Sequence, residues 1–308
     1  MPFFVFPLLF FARYVKNACH NKLYLLWIPL LGVLGYFFKG TPIIVMIAIL
    51  ITLILMKMPR KQKAFSIVSI AGILFAGIFL MNMVMPKLTL TTQQEREEYK
   101  TPIEYWLYTG LKDNGGWGPG SWNQSVVEEL NQFSTYTERK MAARQKISAQ
   151  IKEYGVSGLL NHLYKKETQV MWGNGDLNGI AYLLRSPRHD RAVHALLDEN
   201  TITGTVAGLY VDCYWKFSIL LMIIALFFAA KRKYNGDASC VLSITAFGVF
   251  LFYVLWESNA RYLVCNVFII LILAAEGMTC IQEKKKKRVI VLQLTANLTS
   301  CMDFAILK

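Results

Sequence analysis

Apolar residues gather in long runs toward both ends of the chain and in short, periodic groups between them. The cleanest run is residues 64–85, 22 positions with a single amide, Asn82. A helix crosses a bilayer with about 20 such residues. Residues 217–230, 238–256 and 262–275 form a second set of runs. Nearer the start, residues 23–38 and 42–56 are shorter and are split by Lys39-Gly40-Thr41. They predict two steeply placed helices or a re-entrant pair. Residues 1–12 are apolar, but their positive charge (Arg13, Lys16, Lys22) follows the run instead of preceding it, the reverse of a secretory signal. We read this run as the tail end of a helix, which makes the chain the C-terminal part of a longer protein. A short interfacial helix is the plainer alternative.

Between the apolar ends lies a polar island, residues 86–212, with helical periodicity. Met141, Ile147, Ile151 and Tyr154 recur near 3.6 residues over 138–154, with Gly155 as a stop. Residues 157–166, carrying Leu159, Leu160 and Leu163, and residues 190–197 are further helix candidates. Two loops rich in Gly, Trp and Asn, residues 113–120 and 172–176, cannot be regular helix.

Charge gives this pattern an orientation. The chain holds 33 Lys and Arg against 20 Asp and Glu, but residues 86–212 hold 15 of the acids and 14 of the bases. The remainder therefore carries 19 bases and 5 acids. Bases confined to one side of a bilayer and a near-neutral domain on the other is the positive-inside pattern. Clusters at Lys57–Lys63, Lys231–Lys233 and Lys284–Arg288 mark the cytoplasmic side. The expectation is an all-α polytopic membrane protein with about six to seven transmembrane helices and one mostly helical extracytoplasmic domain. Its parts are residues 1–85 (transmembrane), 86–213 (extracytoplasmic), 214–280 (a three-span bundle) and 281–308 (a basic cytoplasmic tail). Tyr214 and Trp215 are expected at the interface, with Lys216 snorkelling beside them.

Composition removes some functions. With 55% hydrophobic residues and a mean hydropathy of +0.37, the chain is too apolar for an ordinary soluble protein. The basic clusters sit at the ends of apolar runs, where they meet lipid headgroups, so nucleic acid is not an expected partner. Six cysteines (Cys19, Cys213, Cys240, Cys265, Cys280, Cys301) show neither a disulfide framework nor zinc spacing. No Gly-rich phosphate loop, nucleophile elbow or HExxH motif is present. The sequon at Asn297 lies on the cytoplasmic side and carries no function.

The most informative motif is Trp256-Glu257-Ser258-Asn259-Ala260-Arg261-Tyr262, which sets a carboxylate and a guanidinium at the membrane surface between two spans. Ionisable groups there need a partner and often serve a substrate path. The planar fork of Arg261 suits a phosphate. The plainer reading is an internal Glu257–Arg261 pair closing a hairpin. Lys39, on the outer side, is placed to bind an anionic headgroup or lipid-linked phosphate, or simply snorkels. Trp117, Trp122 and Trp172 either stack on sugar or fill a small core. Asp113 and Asp176 are candidate bases, though loop aspartates usually cap turns. His189 and His194 are five apart, which does not set both on one helix face for a metal. The Arg185, Arg188, His189, Asp190, Arg191 cluster is an anion site or a solvated face.

Several of these stretches together resemble the C-terminal half of GT-C-type membrane glycosyltransferases (glycosyltransferase family 39, protein O-mannosyltransferase-like and aminoarabinose transferase-like enzymes). Gly35-Tyr36-Phe37-Phe38-Lys39-Gly40-Thr41 is similar to that family's Gly-rich helix ending in a Lys-Pro-Thr-like turn, with Gly40 in place of the proline. Tyr105-Trp106-Leu107-Tyr108-Thr109-Gly110-Leu111 with Gly115 and Gly116 looks like the start of the loop domain, with Tyr105 where a histidine is common. Trp172-Gly173-Asn174-Gly175 follows in the family's order, and the Trp256-Glu257 to Arg261-Tyr262 stretch resembles its last hairpin. The resemblance covers residues 23–280. It implies inverting transfer of a sugar from a polyprenyl-phosphate-linked donor to an envelope acceptor on the outer face, with an acid of the first external loop as base. No acid precedes Glu95 in this chain. The expected substrate-binding residues are therefore Lys39, Glu257, Arg261 and Tyr262, with no catalytic or metal-binding residue assigned and the cofactor left open. Expected partners are the polyprenyl-phosphate-linked sugar, membrane lipids and a separate N-terminal catalytic half. The expected location is the plasma membrane of a bacterium. A non-catalytic scaffold or a lipid-linked oligosaccharide transporter is the alternative.

Overall fold

Residues 2–17, 19, 21–88, 92, 95, 98, 100–114, 117–175, 177, 198, 200–231 and 238–284 are described in this computed structural model. The described chain is helical, and its one β pairing is an isolated bridge between Asp113 and Pro119. The first four helices are α1 (Pro2–Lys16), α2 (Leu23–Phe38), α3 (Ile43–Leu55) and α4 (Arg60–Leu88). The polar segment gives α5 (Ile103–Leu111), α6 (Gln124–Asn131) and α7 (Tyr136–Lys165), followed by a π-helical turn, Lys166–Met171. Then come α8 (Ile202–Lys231), α9 (Ala238–Leu255) and α10 (Ala260–Lys284), which opens as a 3₁₀ turn over Ala260–Asn266.

Arg60–Leu88, Ile202–Ala230 and Ala260–Lys284 are long and apolar enough to cross a bilayer. Three more helices are apolar but shorter: Leu23–Phe38, Ile43–Leu55 and Ser239–Leu255. At 1.5 Å per residue α2 and α3 reach only about 24 and 20 Å, against a hydrocarbon core of about 30 Å. Three of the six to seven expected spans therefore meet the length criterion. Phe75, Phe79, Leu80, Leu220, Ile223 and Phe227 are all exposed on these long helices. Apolar surface on that scale suits lipid, not water.

One apolar core joins α1, α2, α3, α4, α9 and α10, with Trp215 and Met222 of α8 at its edge. The first apolar run extends past Ala12 to Lys16 and buries one face, Phe4, Leu8, Phe11 and Tyr14. Phe3 stacks on Phe38 at 5.2 Å, which sets the start of α1 beside the end of α2. At the opposite end Gln62 donates to the Cys19 carbonyl at 2.8 Å, and the Tyr14 and Ser66 hydroxyls share a 2.6 Å bond. The basic residues Arg13, Lys16, Arg60, Lys61 and Lys63 lie toward that end.

A second, smaller core (Tyr105, Tyr108, Val126, Leu130, Ala142, Ala143) holds α5, α6 and α7 together. Local chemistry fixes its helix ends. Asn123 Oδ1 accepts the Ser125 N–H at 2.9 Å and starts α6. Thr135 and Glu138 form a reciprocal capping box that starts α7 two residues before the expected position. Gly155 takes φ 58°, ψ −173°, breaking α7 for one residue before it resumes along the 157–166 stretch. α4 and α8 run through residues 85/86 and 213/214 without a break, so the polar segment is continuous with its flanking helices. Trp215 is buried and donates to the Trp172 carbonyl at 2.7 Å, whereas Tyr214 is exposed. Lys216 pairs with Asp212 one turn earlier. The expected 190–197 helix, the 185–191 cluster with His189 and His194, Asp176, Gly115, Gly116, Cys301 and the tail from residue 285 lie outside the described residues.

Candidate functional site

The turn between α9 and α10 is where the polar segment meets the membrane helices. Gly110 of α5 packs against its backbone: a Cβ there would stand 2.8 Å from the Leu255 carbonyl oxygen and the Trp256 carbonyl group. The Ser258 N–H donates to the Gly120 carbonyl at 2.8 Å. Gly120 has φ 72°, a conformation side chains disfavour, and a Cβ on it would lie 2.5 Å from Lys166 Cδ. Trp106 stacks on Trp256 with centroids 6.4 Å apart.

Lys166 locks this junction. It is fully buried, and its ammonium donates to the Gly110 carbonyl at 3.1 Å and the Val254 carbonyl at 3.0 Å. His162, one turn earlier, reaches the same Gly110 oxygen through Nε2 at 3.0 Å. Burial pushes Lys166 down to about 8 and lowers His162 as well. Glu167 is also buried. Its Oε2 accepts from Trp172 Nε1 at 2.9 Å, while its Oε1 has no hydrogen-bond partner among the described residues. Burial lifts Glu167 to about 7 against the pull of Lys166.

Around Tyr262 the four residues expected to bind substrate come together. The Lys39 ammonium lies 4.5 Å from the Tyr262 ring centroid and the Arg261 guanidinium 5.5 Å from it. The Tyr262 hydroxyl donates to Glu257 Oε1 at 2.9 Å. Each position has a local cause. α2 ends at Phe38 and Lys39 takes an extended conformation as its cap, before Pro42 starts α3. Asn259 Oδ1 accepts the Arg261 N–H at 3.1 Å and starts the 3₁₀ turn, which carries Arg261 and Tyr262 in sequence. Glu257, only 2% exposed, accepts from Tyr262 and also feels the charge of Arg261, its expected hairpin partner. Burial raises its carboxyl above the ordinary range, against Tyr262, Arg261, Lys166 and Lys39, which all lower it. Burial lowers the Lys39 ammonium, and the Arg261 charge adds to that shift. Two cations held near one ring, beside a carboxyl whose ionised form burial disfavours, form a site suited to an anion.

The other candidates lie elsewhere. Trp172 packs against Phe250, while Trp117 and Trp122 are partly exposed. The Asp113 carbonyl accepts from Asn123 at 3.4 Å in the 113–123 loop. No group of three or more His, Cys, Asp or Glu that could hold a metal occurs among the described residues. No disulfide joins the described cysteines. Lys166 escaped sequence reasoning, and Gly110 and Gly120 stood out there only as parts of longer stretches, without their packing against the α9–α10 turn and Lys166. Lys165-Lys166 looks like any solvated lysine pair, and a π-helical turn has no compositional signature.

No curated protein and no solved structure matches the chain. A family model described as "Conserved hypothetical integral membrane protein" matches residues 1–280. That match takes in α1 to α9, α10 as far as residue 280, the Lys39 turn and the Tyr262 site alike, and the chain therefore belongs to this family of conserved hypothetical integral membrane proteins.

Proposed function

We propose that the chain is part of a membrane glycosyltransferase. It would transfer a sugar from a polyprenyl-phosphate-linked donor to an envelope acceptor. In this reading the membrane is the bacterial plasma membrane, residues 86–213 face outward, and the bundle crosses with six to seven helices. Lys39 and Arg261 bind the lipid-linked phosphate, and the polar segment closes over the sugar and receives the acceptor. One observation carries the reading: Lys39 and Arg261, at opposite ends of the chain, lie 4.5 and 5.5 Å from the Tyr262 ring centroid. Two cations brought together at the end of a helix bundle, with Glu257 the one described acid whose charge reaches Lys39, favour a further anion, and a lipid phosphate offers one at that depth.

A photoactivatable polyprenyl phosphate tests this. Wild-type protein in membranes should crosslink, and a Lys39→Ala, Arg261→Ala double variant should lose most of the signal. Equal crosslinking of the two removes the assignment. A second reading, a non-catalytic scaffold, draws on the lack of any acid before Glu95. The transporter form of it draws on the buried Asn266, whose Oδ1 lacks a hydrogen-bond partner among the described residues. A scaffold predicts that no sugar leaves the lipid in the presence of the chain.

A further inference from the structure

We propose that Glu257 is the catalytic base of the transfer, its Oε2 taking the proton of the acceptor hydroxyl. This rests on the glycosyltransferase reading and adds to it the residue that moves the proton. Among the described acids, Glu257 is the one whose charge is felt by Lys39. Other buried or paired acids are engaged elsewhere. Glu129 serves Tyr108 and Lys146, Glu104 serves Arg144, Glu167 serves Trp172, and Glu276 serves Ser239 at the far end of the bundle. Glu257 itself is held by one oxygen only. Tyr262 fixes Oε1 at 2.9 Å, and no described residue bonds Oε2. A carboxylate fixed at one oxygen keeps the other to take a proton, as a general base needs once an acceptor hydroxyl reaches it.

The arrangement divides the work around one ring. The cations stand near the centre of Tyr262, and the carboxylate sits at its hydroxyl. The acceptor oxygen forms its bond to the anomeric carbon while the bond from that carbon to the phosphate oxygen breaks. The bonding pair leaves on the phosphate, whose added charge Lys39 and Arg261 stabilise. The acceptor proton goes to Glu257 Oε2. Burial supports the role, because it raises the carboxyl toward the pH at which a base works best. Lys166, Tyr105, Tyr253 and Tyr262 are the other titratable groups near it, and Lys166 pulls the opposite way. The base then belongs to this chain and need not come from a separate half.

The test uses the full chain in membranes with a polyprenyl-phosphate-linked radiolabelled hexose, following label that leaves the lipid fraction. Glu257→Gln keeps an acceptor for the Tyr262 hydroxyl. It should still crosslink the phosphate photoprobe, since Lys39 and Arg261 remain, and lose transfer by roughly a hundredfold or more. Glu257→Asp should recover part of that rate. Tyr262→Phe, which frees the carboxylate, should shift the acid limb of the pH–rate profile. That variant carries the test if Glu257→Gln fails to accumulate, and an unshifted limb would then overturn the proposal. If wild type and Glu257→Gln release label equally, the base assignment falls and the glycosyltransferase reading stands. If wild type releases none, that reading falls and takes this one with it.

Discussion

Lys166 and Glu167 are the sharpest test of the local physics. A carboxyl raised from its ordinary value to about 7 holds its proton in the folded protein where the unfolded chain has lost it. Its contribution to stability is complete below the unfolded value near 4.5 and is lost as pH rises through about 7. Glu167→Gln should therefore raise the melting temperature at pH 8 and flatten its fall between pH 4.5 and 7, as thermal unfolding in detergent would show. A glutamine that melts earlier than wild type at pH 8 would contradict this account. Lys166→Met should act the other way. It removes both carbonyl contacts and leaves the Val254 oxygen without that donor, at a cost of about 1–3 kcal/mol. Neither residue was legible beforehand, because burial of a lysine depends on which backbone comes to meet it. Glu257 and Arg261 were legible, since charges between two apolar runs stand out. That Glu257 takes its hydrogen bond from Tyr262 was not.

At the level of elements, hydropathy was a good guide wherever a run was uniformly apolar. Residues 64–85 and 217–230 appear inside α4 and α8. Periodicity found α7 and its break at Gly155, though not its start, because the Thr135–Glu138 box pulls the helix back to Tyr136. Two substitutions probe how elements meet. Gly120→Ala puts a Cβ against Lys166 Cδ at a positive φ and should cost about 1–3 kcal/mol. A melting shift under a degree would mean the 113–120 loop gives way more easily than its geometry suggests. Leu130→Ala, 1% exposed in the small core of α5, α6 and α7, should cost about 2–5 kcal/mol. Limited proteolysis should then cut the polar segment while sparing α2 and α3.

Across the whole molecule, the ends of α2, α9 and the polar segment gather on one side, and the basic residues of α1 and α4 on the other. Charge asymmetry led us to expect the bases and the polar segment on opposite faces of a bilayer. It could not say which short apolar helices reach across, because length falls short for α2 and α3 while composition does not. An impermeant maleimide on intact cells should label Ser134→Cys and spare Lys61→Cys, both exposed positions, in a background cleared of native cysteines. Labelling of both, or the reverse, would invert the orientation proposed here.

The seam at Gly110 has a practical corollary for anyone wishing to excise residues 86–213. A fragment cut at those limits would expose the face that Trp256 and the α9–α10 backbone now cover, and Lys166 would lose the Val254 oxygen supplied by its neighbour. Such a piece should clump when produced by itself and stay dispersed when co-expressed with the helices on which it rests. It behaves as a keystone, shaped by the arch it closes.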